Sequence, residues 1–268
     1  MTLIIMIVIL LAIYLFLLHG RSGHEGLKVL RQYHYAHRGL HGDGVPENSM
    51  AAFRRAREQG FGIELDIHLL QDGNLAVIHD AALKRTTGAE GYIEDLTVED
   101  LKDYRLEGTE ETIPTFREVL DLYAGAAPLI VELKAERKNH AALTEAACNM
   151  LSSYEGPYCI ESFDPRCILW LRKNRPEVIR GQLSQNFLRD NTKLSLPLKF
   201  LLTQNLLNFL TRPDFLAYRY EQRKCCPGLV ICQKLFRMQL VGWTIREKEV
   251  HTEATEKGWL SIFEKFVP

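Results

Sequence analysis

What the 268-residue chain lacks narrows it first. It has no excess of either charge: 33 Lys and Arg face 34 Asp and Glu, for a net charge of −1, so nothing in the balance draws it to nucleic acid. It has no internal repeats and no low-complexity tract. Its six cysteines are scattered, with only Cys225 and Cys226 adjacent and no C-x-x-C pair. That pattern supports no disulfide framework, and the thiols read as free in a reducing compartment. Charge is missing altogether from Met1 to Leu18, a gap close to the roughly 20 residues that cross a bilayer. No Lys or Arg precedes this run, Leu17-Leu18-His19-Gly20 is a poor cleavage site, and no Cys follows for lipid attachment. An uncleaved transmembrane helix over residues 1–20 is therefore preferred to a signal peptide. Arg21, Lys28 and Arg31 all lie after it, which predicts a single-pass protein of the cell membrane with the rest of the chain on the cytoplasmic side. Residues 21–32 read as a short Gly-containing linker, leaving 33–268 as one domain of barrel size.

What is present is a set of apolar β-type runs that end in titratable groups. Gly62-Ile-Glu-Leu-Asp-Ile67 alternates, which sends Glu64 and Asp66 to one face of a strand. Leu129-Ile-Val-Glu-Leu-Lys134 places Glu132 and Lys134 in the same way, and Val77-Ile-His-Asp80 ends in His79 and Asp80. Ala36-His-Arg-Gly39 adds His37 and Arg38. An exposed strand face is the bland reading of one E-x-D. Several core strands finishing alike point instead to a shared site, and catalytic groups of a β/α barrel sit at the carboxyl ends of its strands. Glu64, Asp66 and Glu132 are an all-oxygen set whose negative charge calls for a hard divalent cation, Mg²⁺ or Ca²⁺. Cysteine is absent from these ends, against a thiolate zinc site. His37 and His79 are acid and base candidates because imidazole titrates near neutrality. Arg38 and Lys134 are donors suited to a phosphate. Acid, base, cation and phosphate clamp together describe phosphodiester cleavage.

The string H-R-G, P-E-N-S, E-L-D-I, D-G-N-L-A-V-I-H-D, R-T-T-G, I-P-T-F-x-E-V-L and V-E-L-K resembles the glycerophosphodiester phosphodiesterase family, within the phospholipase C-like phosphodiesterase barrels. It covers about Tyr33 to Phe163, and Val241-Gly-Trp-Thr244 continues it more weakly. The resemblance implies a TIM (β/α)8 barrel with a small insertion after the third strand. It implies a divalent metal on Glu64, Asp66 and Glu132, acid–base roles for His37 and His79, and phosphate or substrate contacts from Arg38, Lys134 and Trp243. The expected reaction splits a glycerophosphodiester, or a lysophospholipid, into glycerol phosphate and an alcohol. The family usually closes on a strand ending in Thr-Asp; Leu260-Ser-Ile-Phe-Glu264 stands here instead and leaves the last barrel strands unassigned.

Several further stretches bear on the site. Asn48 or Ser49 can cap the helix that follows, and Glu47 and Asn48 either face the site as well or belong to that cap alone. Asp72-Gly73-Asn74 is a turn, and the short return from Asp66 to His79 is expected as an extended crossover. Residues 81–112 leave a strand end and should overhang the site. Glu161 and Phe163 are candidates to face it, with core packing the alternative for Phe163. Residues 190–210, crowded with Leu and Phe and split by Pro197, are either a buried barrel helix or an interfacial segment at the mouth. Two rivals remain: a phospholipase C- or D-like barrel acting on membrane lysolipids, and a catalytically silent, membrane-tethered lipid-binding domain.

Overall fold

The computed structural model describes residues 1–268. Nine strands form one sheet: β1 (Tyr35–His37), β2 (Gly62–Leu69), β3 (Leu75–Val77), β4 (Leu129–Leu133), β5 (Tyr158–Ser162), β6 (Arg180–Ser184), β7 (Phe215–Arg219), β8 (Gln239–Ile245) and β9 (Trp259–Phe263). All but β3 are parallel, and β1 pairs with both β2 and β9, which closes the expected barrel. Alternation sorts the side chains. Ile63, Leu65 and Ile67 pack outward with Leu129, Val131, Phe53 and Phe116 in the main core, so Glu64 and Asp66 must point inward. Local chemistry sets the helix starts. Ser49 accepts from the backbone N–H of Ala52 at the head of Met50–Glu58, Thr115 and Glu118 form a capping box before Phe116–Tyr123, and Asp164 caps Pro165–Asn174.

The return from β2 to His79 is not a crossover. Only residues 70–74 connect β2 to β3, too few for a parallel return, which needs about a dozen. The chain folds back as a hairpin, with Gly73 at φ 85° in the turn and Ile67 opposite Val77. β2 overshoots the rim and β3 comes back, so Ile78 is level with Asp66 and donates its N–H to the Asp66 carbonyl at 3.1 Å. This hairpin is the strand candidate in excess of the eight a barrel needs. The last barrel strand is β9, with Glu264 at its end.

The amino-terminal part also differs from expectation. The helix Thr2–Leu18 has 17 residues, and no helix of the chain is long and apolar enough to cross a membrane. Its last turn packs on the barrel, where Leu18 is buried beside Leu206, Leu229 and Met238. The expected spanning anchor is corrected accordingly. Residues 21–32, read as a linker, are built into the fold. Leu27 and Leu30 lie among Tyr35, Ile130, Phe215 and Val241 and plug the amino-terminal mouth of the barrel; each contributes about 1.5–3 kcal/mol of burial. Arg21 grips the fully buried Asp214 through Nε at 2.6 Å, and Asp214 also accepts from the N–H of Arg180 at 3.0 Å. Replacing Asp214 with Ala should therefore destabilise the fold by about 2–3 kcal/mol, read as a lower midpoint in urea unfolding.

Candidate active site

Parallel register brings the acids together. Asp66 is opposite Glu132, Glu132 opposite Glu161, and His37 opposite Glu64. Glu64, Asp66 and Glu132 are buried and offer oxygens that all lie within 4.8 Å of one another. Two cations are threaded among them. Lys134 Nζ is 2.9 Å from Asp66 Oδ1 and 2.7 Å from Glu132 Oε1, and Arg38 Nε is 3.3 Å from Asp66 Oδ2. The Asn48 amide donates to Asp66 Oδ2 at 2.8 Å. Asp66 Oδ1 nevertheless has no aligned hydrogen-bond donor. Arg38 and Asn48 both sit at positive φ, 52° and 53°, a conformation L-residues adopt at a cost of about 1 kcal/mol or more. The Arg38 N–H donates to Glu64 at 3.2 Å and its carbonyl accepts from the Asn48 N–H at 2.9 Å, which holds the pair there.

Burial and mutual repulsion dominate the titration of this cluster. Burial pushes the Glu132 carboxyl up to about 7. Glu64 rises well above its usual value through burial and then through Asp66 and Glu132. Asp66 alone is held far below the usual range, since Lys134 and Arg38 outweigh its burial. Glu161, buried with an unpartnered Oε2, is pushed up by burial and by Glu132.

The two histidines flank the acids, each backed by a carboxylate and an arginine. His37 Nδ1 is 2.8 Å from Glu264 Oε2, and Arg246 reaches Glu264 at 3.3 Å. His79 Nδ1 is 2.5 Å from Asp80 Oδ1, and Arg85 pairs with the other Asp80 oxygen. A carboxylate only accepts, so Nδ1 carries the proton in each ring and a neutral imidazole presents a bare Nε2. His37 Nε2 lies 4.0 Å from Glu64. Burial lowers the pKa of His37 and brings His79 down to about 4. Both rings line one cavity of about 40 Å³ with Arg38, Glu132, Lys134 and Trp243. Phe163 closes one side, edge-on to Trp243 at 5.5 Å.

All eight expected site residues thus meet. Glu47 and Asn48 do face the site: Glu47 accepts from Arg38 at 2.8 Å and from Arg85 at 2.6 Å, while Ser49 does the capping. Sequence reasoning missed the supporting groups. His68 shares the inner face of β2 with Glu64 and Asp66; its Nδ1 is 2.6 Å from Glu94 in the insertion and its Nε2 is 3.2 Å from the His79 carbonyl. Its spacing, two beyond Asp66, was the available signal. Glu264 and Arg246 carried none, because nothing local ties residue 264 to residue 37.

Fold and site together define a β/α-barrel protein with a buried acidic centre flanked by two carboxylate-backed imidazoles at its carboxyl-terminal face. The chain matches the sequence model of the Glycerophosphoryl diester phosphodiesterase family over residues 37–264, and it belongs to that family. It is 38% identical over 160 residues to a glycerophosphodiester phosphodiesterase of Caldanaerobacter subterraneus, covering 56% of this chain and 65% of that protein. It is 32% identical over 159 residues to a lysophospholipase D of Rattus norvegicus, covering 54% of this chain and 48% of that one. The chain therefore spans about two thirds and about half of these two relatives. The fold resembles that of an Oleispira antarctica phosphodiesterase solved with sn-glycerol-3-phosphate, at a TM-score of 0.73 and 23% identity over 91% of this chain and 95% of that one.

The Glu264 carboxyl is held at about 2: burial would raise it, but His37 and Arg246 pull it down. Its pairing therefore stabilises the fold fully above the unfolded value near 4.5 and is lost as pH falls toward 2. Glu264→Gln should cost about 2 kcal/mol at pH 7 and progressively less below pH 4.5, measured by denaturant unfolding of both proteins across that range.

Proposed function

We propose that the protein hydrolyses glycerophosphodiesters to glycerol phosphate and an alcohol. The observation that carries this is the meeting of two imidazole rings, three buried carboxylates, Arg38 and Lys134 around one small cavity. The donor set fits a hard divalent cation, Mg²⁺ or Ca²⁺. It is all oxygen and under-neutralised, and Asp66 Oδ1 is buried without an aligned donor. Glu64, Asp66 and Glu132 would hold the ion, which when bound polarises the phosphate and acidifies a nearby hydroxyl. Arg38 and Lys134 orient phosphate oxygens. One histidine, neutral, takes the proton of the attacking hydroxyl at Nε2; the other must enter the step as the imidazolium, protonated at Nε2 as well as Nδ1, and gives its Nε2 proton to the leaving oxygen. Glu264 and Asp80 hold the tautomers and stabilise each ring when it is charged. Trp243 and Phe163 wall the organic part of the substrate.

A second reading, that lysophospholipids are substrates, is favoured by the apolar wall of the mouth, where Phe163 is flanked by Trp243 and Phe187. The rat relative carries that activity in its name. A silent lipid-binding domain is disfavoured because no acid, base or carboxylate is missing. We also propose that the N-terminal helix holds the protein at a membrane without crossing it, the barrel facing the cytoplasm. Support comes from its charge-free run, the cations Arg21, Lys28 and Arg31 after it, and six unpaired thiols.

Glycerophosphocholine should be turned over, and EDTA should abolish the turnover. His37→Ala and His79→Ala should each lower kcat by about 100-fold or more with an unchanged circular dichroism spectrum. Near wild-type turnover in either variant would remove that histidine from the acid–base pair, and turnover indifferent to EDTA would remove the cation. Protease digestion of intact cells should spare the barrel; cleavage from outside would overturn the cytoplasmic placement.

A further inference from the structure

Two apolar surfaces that the barrel does not use lie side by side at the catalytic rim. The first is the outer part of the N-terminal helix. Gly20 sits against Pro213 and Met238, just ahead of β7 and β8, so this end lies at the amino ends of the strands. Earlier in the chain, Leu18 and Tyr14 lie against Gly228, and a Cβ there would come within 3.1 Å of both. Gly228 follows the turn Tyr220–Cys225 at the carboxyl end of β7. Traced backwards from Gly20, the helix therefore climbs toward the catalytic rim. Residues 2–13 are all exposed and project past Gly228 by about 18 Å at 1.5 Å per residue.

The second surface is the segment that leaves β6 at the same rim. There Phe187 meets Phe163 edge-on at 6.0 Å, beside Trp243 and the cavity. Its polarity is inverted. Leu196 is 72% and Phe200 49% exposed, with Leu188 and Leu194 also outside, while Lys199 is 9%, Thr203 1% and Asn208 1% exposed. Each of these three buried polar side chains makes a hydrogen bond. Lys199 donates to the Asp190 carbonyl at 2.9 Å, Thr203 Oγ1 accepts from the Phe187 N–H at 3.0 Å, and Asn208 donates to the Leu18 carbonyl at 3.0 Å. The last bond ties this segment to the N-terminal helix, as does Phe209 against Phe16 at 5.6 Å. Leu188, Leu194, Leu196 and Phe200 turned outward are unfavourable against water, and an exposed apolar face of this kind marks a contact surface.

We infer that this face seats on a lipid bilayer, so that the mouth of the site opens onto the membrane surface. A protein groove covers one stripe of a helix, whereas Leu3 to Ile13 is apolar on every side. The exposed part of the helix, carrying no charged side chain, suits the hydrocarbon layer of a bilayer. The exposed Arg189 and Lys193 on the same segment suit lipid phosphates. The substrates then taken are glycerophosphodiester headgroups presented at that surface, with any acyl chain left in the lipid. This deepens the lysophospholipid reading above, but the seating itself does not require catalysis.

The test is flotation of the full chain with phosphatidylcholine vesicles in EDTA, which separates binding from turnover. Wild type should float. Leu196→Ser with Phe200→Ser should lower vesicle partition about tenfold or more, leaving the fold and the hydrolysis of soluble glycerophosphocholine unchanged. Val29→Ser, an exposed apolar residue at the opposite end of the barrel, should leave partition unchanged. Equal binding by the double variant, or an equal loss from Val29→Ser, would overturn the inference. So would a double variant that binds vesicles normally but loses self-association, since the face would then belong to a second copy. Should the double variant unfold, Leu194→Ser with Leu188→Ser carries the same comparison.

Discussion

Four carboxylates at the carboxyl-terminal mouth of one barrel are the constraint on which the rest of the structure depends. At an effective dielectric constant near 20, two like charges 4 Å apart repel by about 4 kcal/mol, and Glu64, Asp66 and Glu132 lie closer than 4.8 Å in the sense that their nearest oxygens do. Lys134 answers part of this by contacting both Asp66 and Glu132. Arg38 answers another part, and reaches Asp66 only because its backbone turns into the left-handed region at the end of β1. The compensation falls unevenly: Asp66 keeps its charge while Glu64 and Glu132 are pushed toward protonation.

Against that acidic centre, the histidines are kept apart from it by their own partners. Each Nδ1 faces a carboxylate that an arginine holds in turn, Glu264 with Arg246 and Asp80 with Arg85. The two relays arise from unrelated pieces of chain. One closes the barrel, because Glu264 follows β9 and β9 pairs with β1, which ends in His37. The other depends on the hairpin, which overshoots the rim and returns, with His68 holding the His79 carbonyl from the inner face of β2. Barrel closure and the hairpin are thus requirements of the site as much as of the fold.

This explains which parts were legible in the sequence. Glu64, Asp66, Glu132 and Lys134 announce themselves because a strand's period of two is a local rule, and the burial of their apolar neighbours follows the same rule. Ser49 is legible as a cap because capping too is a local rule. The hairpin was partly legible: its turn was, its antiparallel sense was not, although five connecting residues already exclude a parallel return. Glu264 was not legible, because its partner is 227 positions away and a glutamate after a short strand has no pattern of its own. Residues 21–32 misled for a related reason. Leu27 and Leu30 form no periodic run, yet the open end of a barrel accepts any short apolar plug.

The stretch 190–210 shows how composition misleads when the outer environment is unknown. Its leucines and phenylalanines suggest a buried helix if water is assumed outside, and the fold places Lys199, Thr203 and Asn208 inside instead. The same segment is fastened to the N-terminal helix through Asn208 and Leu18, and that helix is fastened to the barrel floor through Arg21 and Asp214. A flexible tether would let the barrel turn freely above a membrane. A helix whose last turn is packed on the barrel restricts that freedom, because Leu18 is buried among Leu206, Leu229 and Met238 and its carbonyl is held by Asn208.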